Sequence, residues 1–340
     1  MCRIAGIASL NLTADSCDAV KSMTQSMKHG GPDDSGWYFD DHVALGHRRL
    51  AIIDLSTAGH QPMLLADELV ISFNGEIYNY ETLRTELENT GAVFTTRSDT
   101  EVILQAYRKW GSGSFDRFEG IFAFALFDKT RKKLLLARDH VGVKPLYYFM
   151  DGKELIFASE IRAFHAYRKD WKENENWKIL FLAFGSIPYP YTTLNGVFLL
   201  QPGCFIELNL EDFTHSIREY KSPRKTQTFS NHRQEIEAMG SAIRGAVKKN
   251  LISDAPLGVF LSGGIDSSLL ALVADQLQDG VKTISINFDD SEFDEYPFQK
   301  MVLEKTNNVE HTSYRVTEKM FWDSLPDIWS AMDQPTIDGV

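Results

Sequence analysis

From residue 4 to about residue 206, apolar residues come in short runs bounded by Gly, Asp or Lys and separated by polar turns. The runs at 4–10, 43–47, 69–73, 122–127, 134–137 and 155–158 predict strands. Two stretches have helical spacing instead. Residues 18–27 place Ala19, Val20, Met23 and Met27 on one face, and residues 99–110 do the same with Val102, Ile103, Ala106, Tyr107 and Trp110. Strand pairs with few helices predict a layered α+β domain over residues 1–205.

The pattern then changes. Residues 206–233 are largely polar (Glu211, Asp212, Lys221, Ser222, Pro223, Arg224, Lys225) and predict a strand hairpin running into a linker. Over residues 234–340, helices at 234–250, 267–277 and 296–305 alternate with apolar strands at 257–261 and 283–288. That alternation predicts an α/β, doubly wound parallel-sheet domain. Only two strands are legible in it, and a two-stranded parallel sheet exposes its edges, so the chain reads as a fragment of a longer protein, its second domain incomplete.

Composition narrows the function classes. The 340 residues are 43% hydrophobic and 24% charged, with a net charge of −12. That excess of acid, without a Lys/Arg run, argues against nucleic acid as a partner. No run approaches the roughly 20 apolar residues of a membrane span, and the N-terminus lacks a signal-peptide pattern. A cytoplasmic protein with no membrane partner is expected. The three cysteines, Cys2, Cys17 and Cys204, are too scattered for a disulfide framework or a zinc site.

Cys2 directly follows the initiator Met. Removal of Met1 would leave one residue carrying both a thiol and a free α-amine, whose ordinary pKa of about 7.7–8 suits it to accept the thiol proton. Cys2 to Gly6 are followed in order by Gly31-Pro32-Asp33-Asp34-Ser35-Gly36, Gly46-His47-Arg48-Arg49-Leu50-Ala51-Ile52, Asn74-Gly75-Glu76-Ile77-Tyr78-Asn79 and Arg97-Ser98-Asp99-Thr100-Glu101. Together these resemble the class II glutamine amidotransferase domain of the glutamine-hydrolysing asparagine synthetase family.

The resemblance implies an Ntn-hydrolase αββα sandwich in which Cys2 is the nucleophile and Asn74 with Gly75 forms an oxyanion hole. The chemistry agrees: amide cleavage passes through a tetrahedral oxyanion that needs preorganised donors. Arg49 suits the α-carboxylate of glutamine, Glu76 and Asp99 suit its α-ammonium, and the backbone of Leu50, Ile52 and Ile53 is expected to line the pocket. A plainer reading makes Arg49 and Asp99 a solvated surface pair. Asn74-Gly75 could also be a hairpin turn between strands at 70–73 and 77–78, which would still present its donors. Two positions depart from the family pattern: Arg3 stands where a small residue is common, and Gly30 where arginine is usual. The block from Arg138 to Tyr147 and Ala158-Ser159-Glu160-Ile161 also match the family and are assigned to scaffold.

In the second domain, Leu257-Gly258-Val259-Phe260-Leu261 leads into Ser262-Gly263-Gly264-Ile265-Asp266-Ser267-Ser268 and a helix. Strand, glycine turn and helix N-terminus together make an anion site, and no Gly-Lys-Ser/Thr ending marks an ordinary P-loop. The run resembles the pyrophosphate (PP) loop of ATP-pyrophosphatases, with an adenine nucleotide α-hydrolase-like fold. The resemblance implies ATP bound by Ser262, Gly263, Gly264, Asp266, Ser267 and Ser268, with Phe260 and Ile286 at the adenine and Mg2+ on Asp266. Asn287 stands where the family often has glycine. Asp289, Asp290, Glu292, Asp294 and Glu295 read as a solvated loop.

The expected activity is therefore a ligase that hydrolyses glutamine and uses the ammonia, with ATP and aspartate, to make asparagine. A homodimer is one assembly the resemblance allows. Two rivals stay open: a paralogue amidating a different carboxylate, such as a sugar acid or a secondary-metabolite precursor, and a non-catalytic interaction module built on the glutaminase fold.

Overall fold

The computed structural model describes residues 2–220, 228–290 and 292–337, which divide into two compact units. The first unit takes in the described residues as far as 220, and residues 332–337 as well. In chain order it holds β1 (Arg3–Ser9), α1 (Ala14–Ser26), β2 (Asp34–Phe39), β3 (Val43–Arg49), β4 (Met63–Leu65), β5 (Leu69–Ile77), α2 (Tyr80–Asn89) and α3 (Asp99–Trp110). These are followed by β6 (Gly120–Asp128), β7 (Lys133–Arg138), β8 (Tyr147–Met150), β9 (Glu154–Ala158), α4 (Arg162–Tyr167), α5 (Trp177–Phe184), β10 (Val197–Leu199), β11 (Cys204–Asn209) and β12 (His215–Glu219).

The strands form two six-stranded sheets, ordered β10-β8-β9-β1-β3-β2 and β12-β11-β7-β6-β5-β4. Side chains alternate across each strand, and in β1, β6, β7 and β9 both faces are buried, so those strands read as continuous apolar runs. In β6, Ala123, Ala125 and Phe127 enter the layer between the sheets with Ile4, Leu45, Leu136 and Phe157. The alternate residues Phe122, Phe124 and Leu126 pack outward with Leu83 and Leu87 of α2 and Val102, Ile103 and Ala106 of α3. On the opposite outer face, Ala5, Ile7 and Ile156 pack with Val20 and Met23 of α1 and Phe164 of α4. The result is the expected αββα sandwich.

The predicted boundary at residue 205 falls inside β11. That strand pairs with β7 from Phe205↔Ala137 to Asn209↔Lys133 and with β12 on its other side, so the hairpin belongs to the first unit rather than to a linker. Residues 221–227 of the expected linker lie outside the described residues. Residues 332–337 also fall in the first unit rather than the second. Asp333 Oδ2 accepts from the Ile161 N–H (2.6 Å) and Oδ1 from the Arg162 N–H (2.9 Å), and Gln334 Oε1 accepts from the Thr193 N–H (3.1 Å).

The second unit contains α6 (His232–Asn250), β13 (Gly258–Phe260), α7 (Ile265–Leu277), β14 (Lys282–Phe288), α8 (Tyr296–Leu303), β15 (Glu310–Val316) and α9 (Glu318–Ala331). Its sheet is parallel and three-stranded, β13-β14-β15, one strand more than predicted. The missed strand, Glu-His-Thr-Ser-Tyr-Arg-Val, is an exposed edge strand and so carries no apolar run to betray it. Two small clusters pack this unit, Val247 with Val273, Ala274 and Val281, and Leu261 with Ala271 and Val302. Among the described residues no helix is long and apolar enough to cross a membrane.

Candidate active site

Four segments of the first unit converge on one cleft. Cys2 precedes β1, Arg49 ends β3 and starts the loop through Leu50, Ile52 and Ile53, Asn74 to Glu76 lie in β5, and Asp99 opens α3. All nine glutamine-site residues named from the sequence line this cleft, together with Gly59, Gln61, Phe73, Ser98, Thr100 and Lys144. The loop at 50–53 is held from Asp33, whose Oδ2 accepts from the Ala51 N–H (2.8 Å) and whose N–H donates to the Arg49 carbonyl (3.0 Å).

The thiol sits against Leu50. The Leu50 N–H donates to Cys2 Sγ at 3.3 Å, and Sγ lies 3.4 Å from the Leu50 carbonyl. Burial pushes the Cys2 thiol above its ordinary 9.0, an effect that the Leu50 N–H opposes. A thiol so placed needs a base to become a nucleophile. Met1, whose removal would expose the α-amine, lies outside the described residues.

Asn74 and Gly75 do not form a hairpin turn. They lie within the continuous strand β5, which pairs with β6 from Leu69↔Asp128 to Ile77↔Gly120, so that reading is overturned. The Asn74 side chain is buried, and neither its Nδ2 nor its Oδ1 has a hydrogen-bond partner among the described residues. Buried amides are almost always satisfied, so this one stands open to a partner from the cleft it lines. Backbone alternation places a second donor beside it. The Phe73 N–H leaves the sheet edge for Gln61 Oε1 (2.7 Å) and the Ile77 N–H leaves it for Asp99 Oδ2 (3.0 Å). Gly75 lies between them and aims its N–H off the same edge. Its φ of 155° and the close approach of the Ile121 carbonyl, 2.1 Å from where a Cβ would sit, allow only glycine.

Arg49 and Asp99 are buried, not a solvated pair. Arg49 Nη1 donates to the Ser56 carbonyl (2.8 Å) and Nη2 to the Asp54 carbonyl, which uses two of the five guanidinium N–H groups and fixes the plane of the rest. Burial pushes Asp99 up to about 7, against the lowering effect of its bond from the Ile77 N–H and with a further push from Glu76. Burial also raises Glu76, and Lys144 opposes that rise. The Lys144 ammonium is itself held below its ordinary 10.5 by burial. The cleft therefore contains a fixed guanidinium at one place and two carboxyls reluctant to ionise at another. A zwitterion with a carboxylate and an ammonium complements that pattern.

His47, on β3, supports the strand that carries these donors. Its Nε2 donates to the Phe73 carbonyl (3.0 Å), and burial pushes its pKa down to about 4, so the ring is neutral.

In the second unit, the loop Ser262–Ser268 leads from β13 into α7 as predicted. Gly263 has a φ of 91° and is packed against Phe298 Cβ, 3.1 Å from where its own Cβ would be. The hydroxyls of Ser262 and Ser267 lie 2.9 Å apart, and the Ser268 N–H donates to the Gly264 carbonyl (3.0 Å). Asp266 stands exposed in the first turn of α7, and Phe260 and Ile286 are exposed on neighbouring strands. Among the described residues no group of three or more His, Cys, Asp or Glu side chains could hold a metal ion. A cation at Asp266 would therefore take its remaining oxygens from water or from a bound ligand. The acidic stretch after β14 is a loop tied to its own surroundings: Asp289 pairs with Arg315, and Asp294 Oδ1 accepts from the Phe288 N–H (3.3 Å).

Comparison with known proteins decides the family. The glutamine amidotransferase domain matches residues 1–221, and the asparagine synthase domain matches residues 238–340. The chain belongs to the glutamine-hydrolysing asparagine synthetase family. It is 35% identical over 343 residues to asparagine synthetase [glutamine-hydrolyzing] 1 of Bacillus subtilis, covering 99% of this chain and 54% of that one. It is also 35% identical over 345 residues to putative asparagine synthetase [glutamine-hydrolyzing] 2 of Methanocaldococcus jannaschii, covering 94% of this chain and 65% of that one. The chain thus spans between half and two-thirds of the length of these relatives. A solved structure of the allosteric regulatory enzyme of purine biosynthesis aligns over 92% of this chain and 80% of its own, with a TM-score of 0.50 and 15% identity, a likeness of fold alone.

Within this family's pattern, sequence reasoning passed over Gln61 and Lys144. Gln61 bridges β5 and α3, accepting from the Phe73 N–H and donating to Thr100 Oγ1 (3.3 Å). Lys144 belongs to the Arg138–Tyr147 block assigned to scaffold. Its main chain is scaffold, since its N–H donates to Asp139 Oδ2 (3.0 Å) and its carbonyl accepts from Arg138 Nε (2.8 Å), but its side chain faces the cleft. The signal available was a lysine inside an otherwise apolar Val-Gly-Val-Lys-Pro-Leu run, where burial of a charge asks for a reason.

Proposed function

We propose that the first unit is a glutaminase and that, in the whole protein, its ammonia is used to make asparagine. The observation that carries the glutaminase reading is the buried, unpartnered Asn74 amide in the cleft that holds Cys2. Glutamine enters with its α-carboxylate on Arg49 and its α-ammonium between Glu76 and Asp99. The Cys2 α-amine, free once Met1 is removed, takes the thiol proton, and Sγ attacks the side-chain amide carbon. Asn74 Nδ2 and the Gly75 N–H receive the developing oxyanion. Collapse expels ammonia with the proton returned by the amine, and water then hydrolyses the thioester to glutamate.

In the same proposal the second unit binds ATP on Ser262, Gly263, Gly264, Ser267 and Ser268, with Phe260 and Ile286 beside the base. The α7 N-terminus and the glycine backbone fit phosphate oxygens. Mg2+ would sit on Asp266 and share the nucleotide's oxygens, neutralising phosphate charge. Aspartate is the carboxylate activated by ATP, and its amidation yields asparagine, AMP and pyrophosphate. A homodimer belongs to the same proposal and is tested by light scattering. Support for the synthetase half comes from the family and from the two-part arrangement of the chain.

The test of the glutaminase is glutamate release from glutamine by the wild-type chain and by Cys2→Ala. Release by the wild type alone supports the reading. Equal release by both, or by neither, sinks it.

A further inference from the structure

The two departures from the family pattern, Arg3 and Gly30, meet in space. Arg3 is the first residue of β1, directly after the nucleophile. Its Nη1 donates to the Cys2 carbonyl at 3.1 Å, and its Nε is bonded to Glu160 Oε1. Glu160 is buried and held from two more sides, by His29 Nε2 on Oε1 (3.0 Å) and by Arg162 Nε on Oε2 (2.8 Å). The guanidinium is therefore a fixed clamp with one end on a buried carboxylate and the other on the main chain of Cys2.

Gly30 is what admits the clamp. A Cβ at residue 30 would lie 2.7 Å from Arg3 Cγ, 2.7 Å from Arg3 Cζ and 2.8 Å from Arg3 Nε. These are the middle of the side chain rather than its free tip, so even a methyl group would evict it. The arginine at position 3 and the glycine at position 30 are one feature, in which the side chain of the first fills the space left by the second.

We infer that Arg3 is a positioning residue for the Cys2 nucleophile, and that Gly30 exists to make room for it. The inference rests on the glutaminase reading above. Once Met1 is removed, Cys2 has no preceding peptide to hold it. Its own carbonyl and the Sγ contact with Leu50 then orient the thiol and the amine toward the amide carbon. Arg3 does not line the glutamine cleft, so it acts on the alignment of Cys2 rather than on substrate binding.

The test uses the full chain in four forms: wild type, Arg3→Ala, Gly30→Ala and the double variant. Each is assayed for glutamate release and for the rate at which iodoacetamide alkylates Cys2, read by peptide mass spectrometry. Buried Cys204 serves as the reporter of an intact fold. Misplacing a reacting group by about 1 Å costs on the order of 100-fold. Arg3→Ala should therefore lower kcat by about 10- to 100-fold with KM within about twofold of wild type. Cys2 should alkylate faster as it loosens, while Cys204 stays protected. Gly30→Ala, which removes no polar group, should show the same signature, and the double variant should be no worse than Arg3→Ala.

A wild-type kcat in Arg3→Ala, or effects that multiply in the double variant, would overturn the inference while leaving the glutaminase reading intact. If the wild type releases no glutamate, that reading falls, and the clamp is judged on alkylation. An unchanged Cys2 rate in Arg3→Ala then refutes it as well.

Discussion

Replacing Asp99 by Asn should make the first unit more stable at alkaline pH and much poorer at binding glutamine. Asp99 is buried, and its pKa stands at about 7 against an ordinary 3.8. At about 1.4 kcal/mol for each pH unit of displacement, ionising it in the folded state costs about 4 kcal/mol at pH 8. The sign follows from proton binding. Between pH 3.8 and 7 the folded carboxyl keeps a proton that the unfolded one has lost, so stability falls as pH rises through that window. At pH 5 only about 1.6 kcal/mol of the cost has accrued. Asn removes the ionisation but puts an NH2 where an acceptor stood. Its remaining oxygen can keep the bond from the Ile77 N–H, and the lost acceptor costs about 1–2 kcal/mol. Asp99→Asn should therefore be about 2 kcal/mol more stable than wild type at pH 8 and nearly equal to it at pH 5.

Function should move the other way. Without a carboxylate for the α-ammonium, the KM for glutamine should rise by about 100-fold or more. In the wild type, KM should fall as pH rises from 6 to 8, because binding requires the ionised form. Urea denaturation at the two pH values, together with a KM profile, reads all of this. An Asn variant that is less stable by the same margin at both pH values, with glutamine KM unchanged, would refute the reasoning.

Asn74→Ala should lower kcat for glutamine hydrolysis by about 100- to 1000-fold, with KM little changed, if its amide meets the oxyanion; steady-state kinetics checks this. Gly75→Ala should destabilise the first unit by more than about 2 kcal/mol, since a Cβ there would sit 2.1 Å from the Ile121 carbonyl, and thermal denaturation reads it. His47 has a folded pKa of about 4, so the protonation of its unfolded form below 6.5 should draw about 3 kcal/mol of stability from the first unit as pH falls from 6.5 to 4. Asp99 opposes that slope in the wild type, so the acid loss should be steeper in Asp99→Asn, as denaturation across that range would show.

What the sequence revealed depended on how each feature is buried. Phe122 to Phe127 is buried on both faces, so its apolar run marked a central strand. The helix at 99–110 showed its spacing because Val102, Ile103, Ala106 and Tyr107 pack into the apolar core, although residues 99–107 are all buried, and its bounds match the structure. The edge strand β15 meets solvent and left no such mark. The hairpin β11–β12 read as polar because β12 is exposed, although β11 completes a core sheet. The cleft that holds Cys2 was legible because its residues are chemically unusual in a fixed order. Asn74 and Gly75 do line the cleft with Cys2, but the turn offered for them is a strand, since an Asn-Gly pair in the middle of a strand is opposed by ordinary turn preferences. The side chain of Lys144 was hidden by its own main chain, which is plainly structural. The pairing of Arg3 with Gly30 could not be read at all, because it depends on two segments meeting in space.

The central claim is that Cys2, as the first residue of the processed chain, becomes acylated by glutamine. It is tested most directly by mixing the chain with glutamine, quenching in acid within the first turnovers and mapping the peptides by mass spectrometry. The account predicts a γ-glutamyl thioester on a peptide that begins at Cys2, lost in Cys2→Ala and forming no slower than glutamate appears. Glutamate formed at the full rate with Met1 still attached, or with the adduct on Cys17 or Cys204, would contradict it.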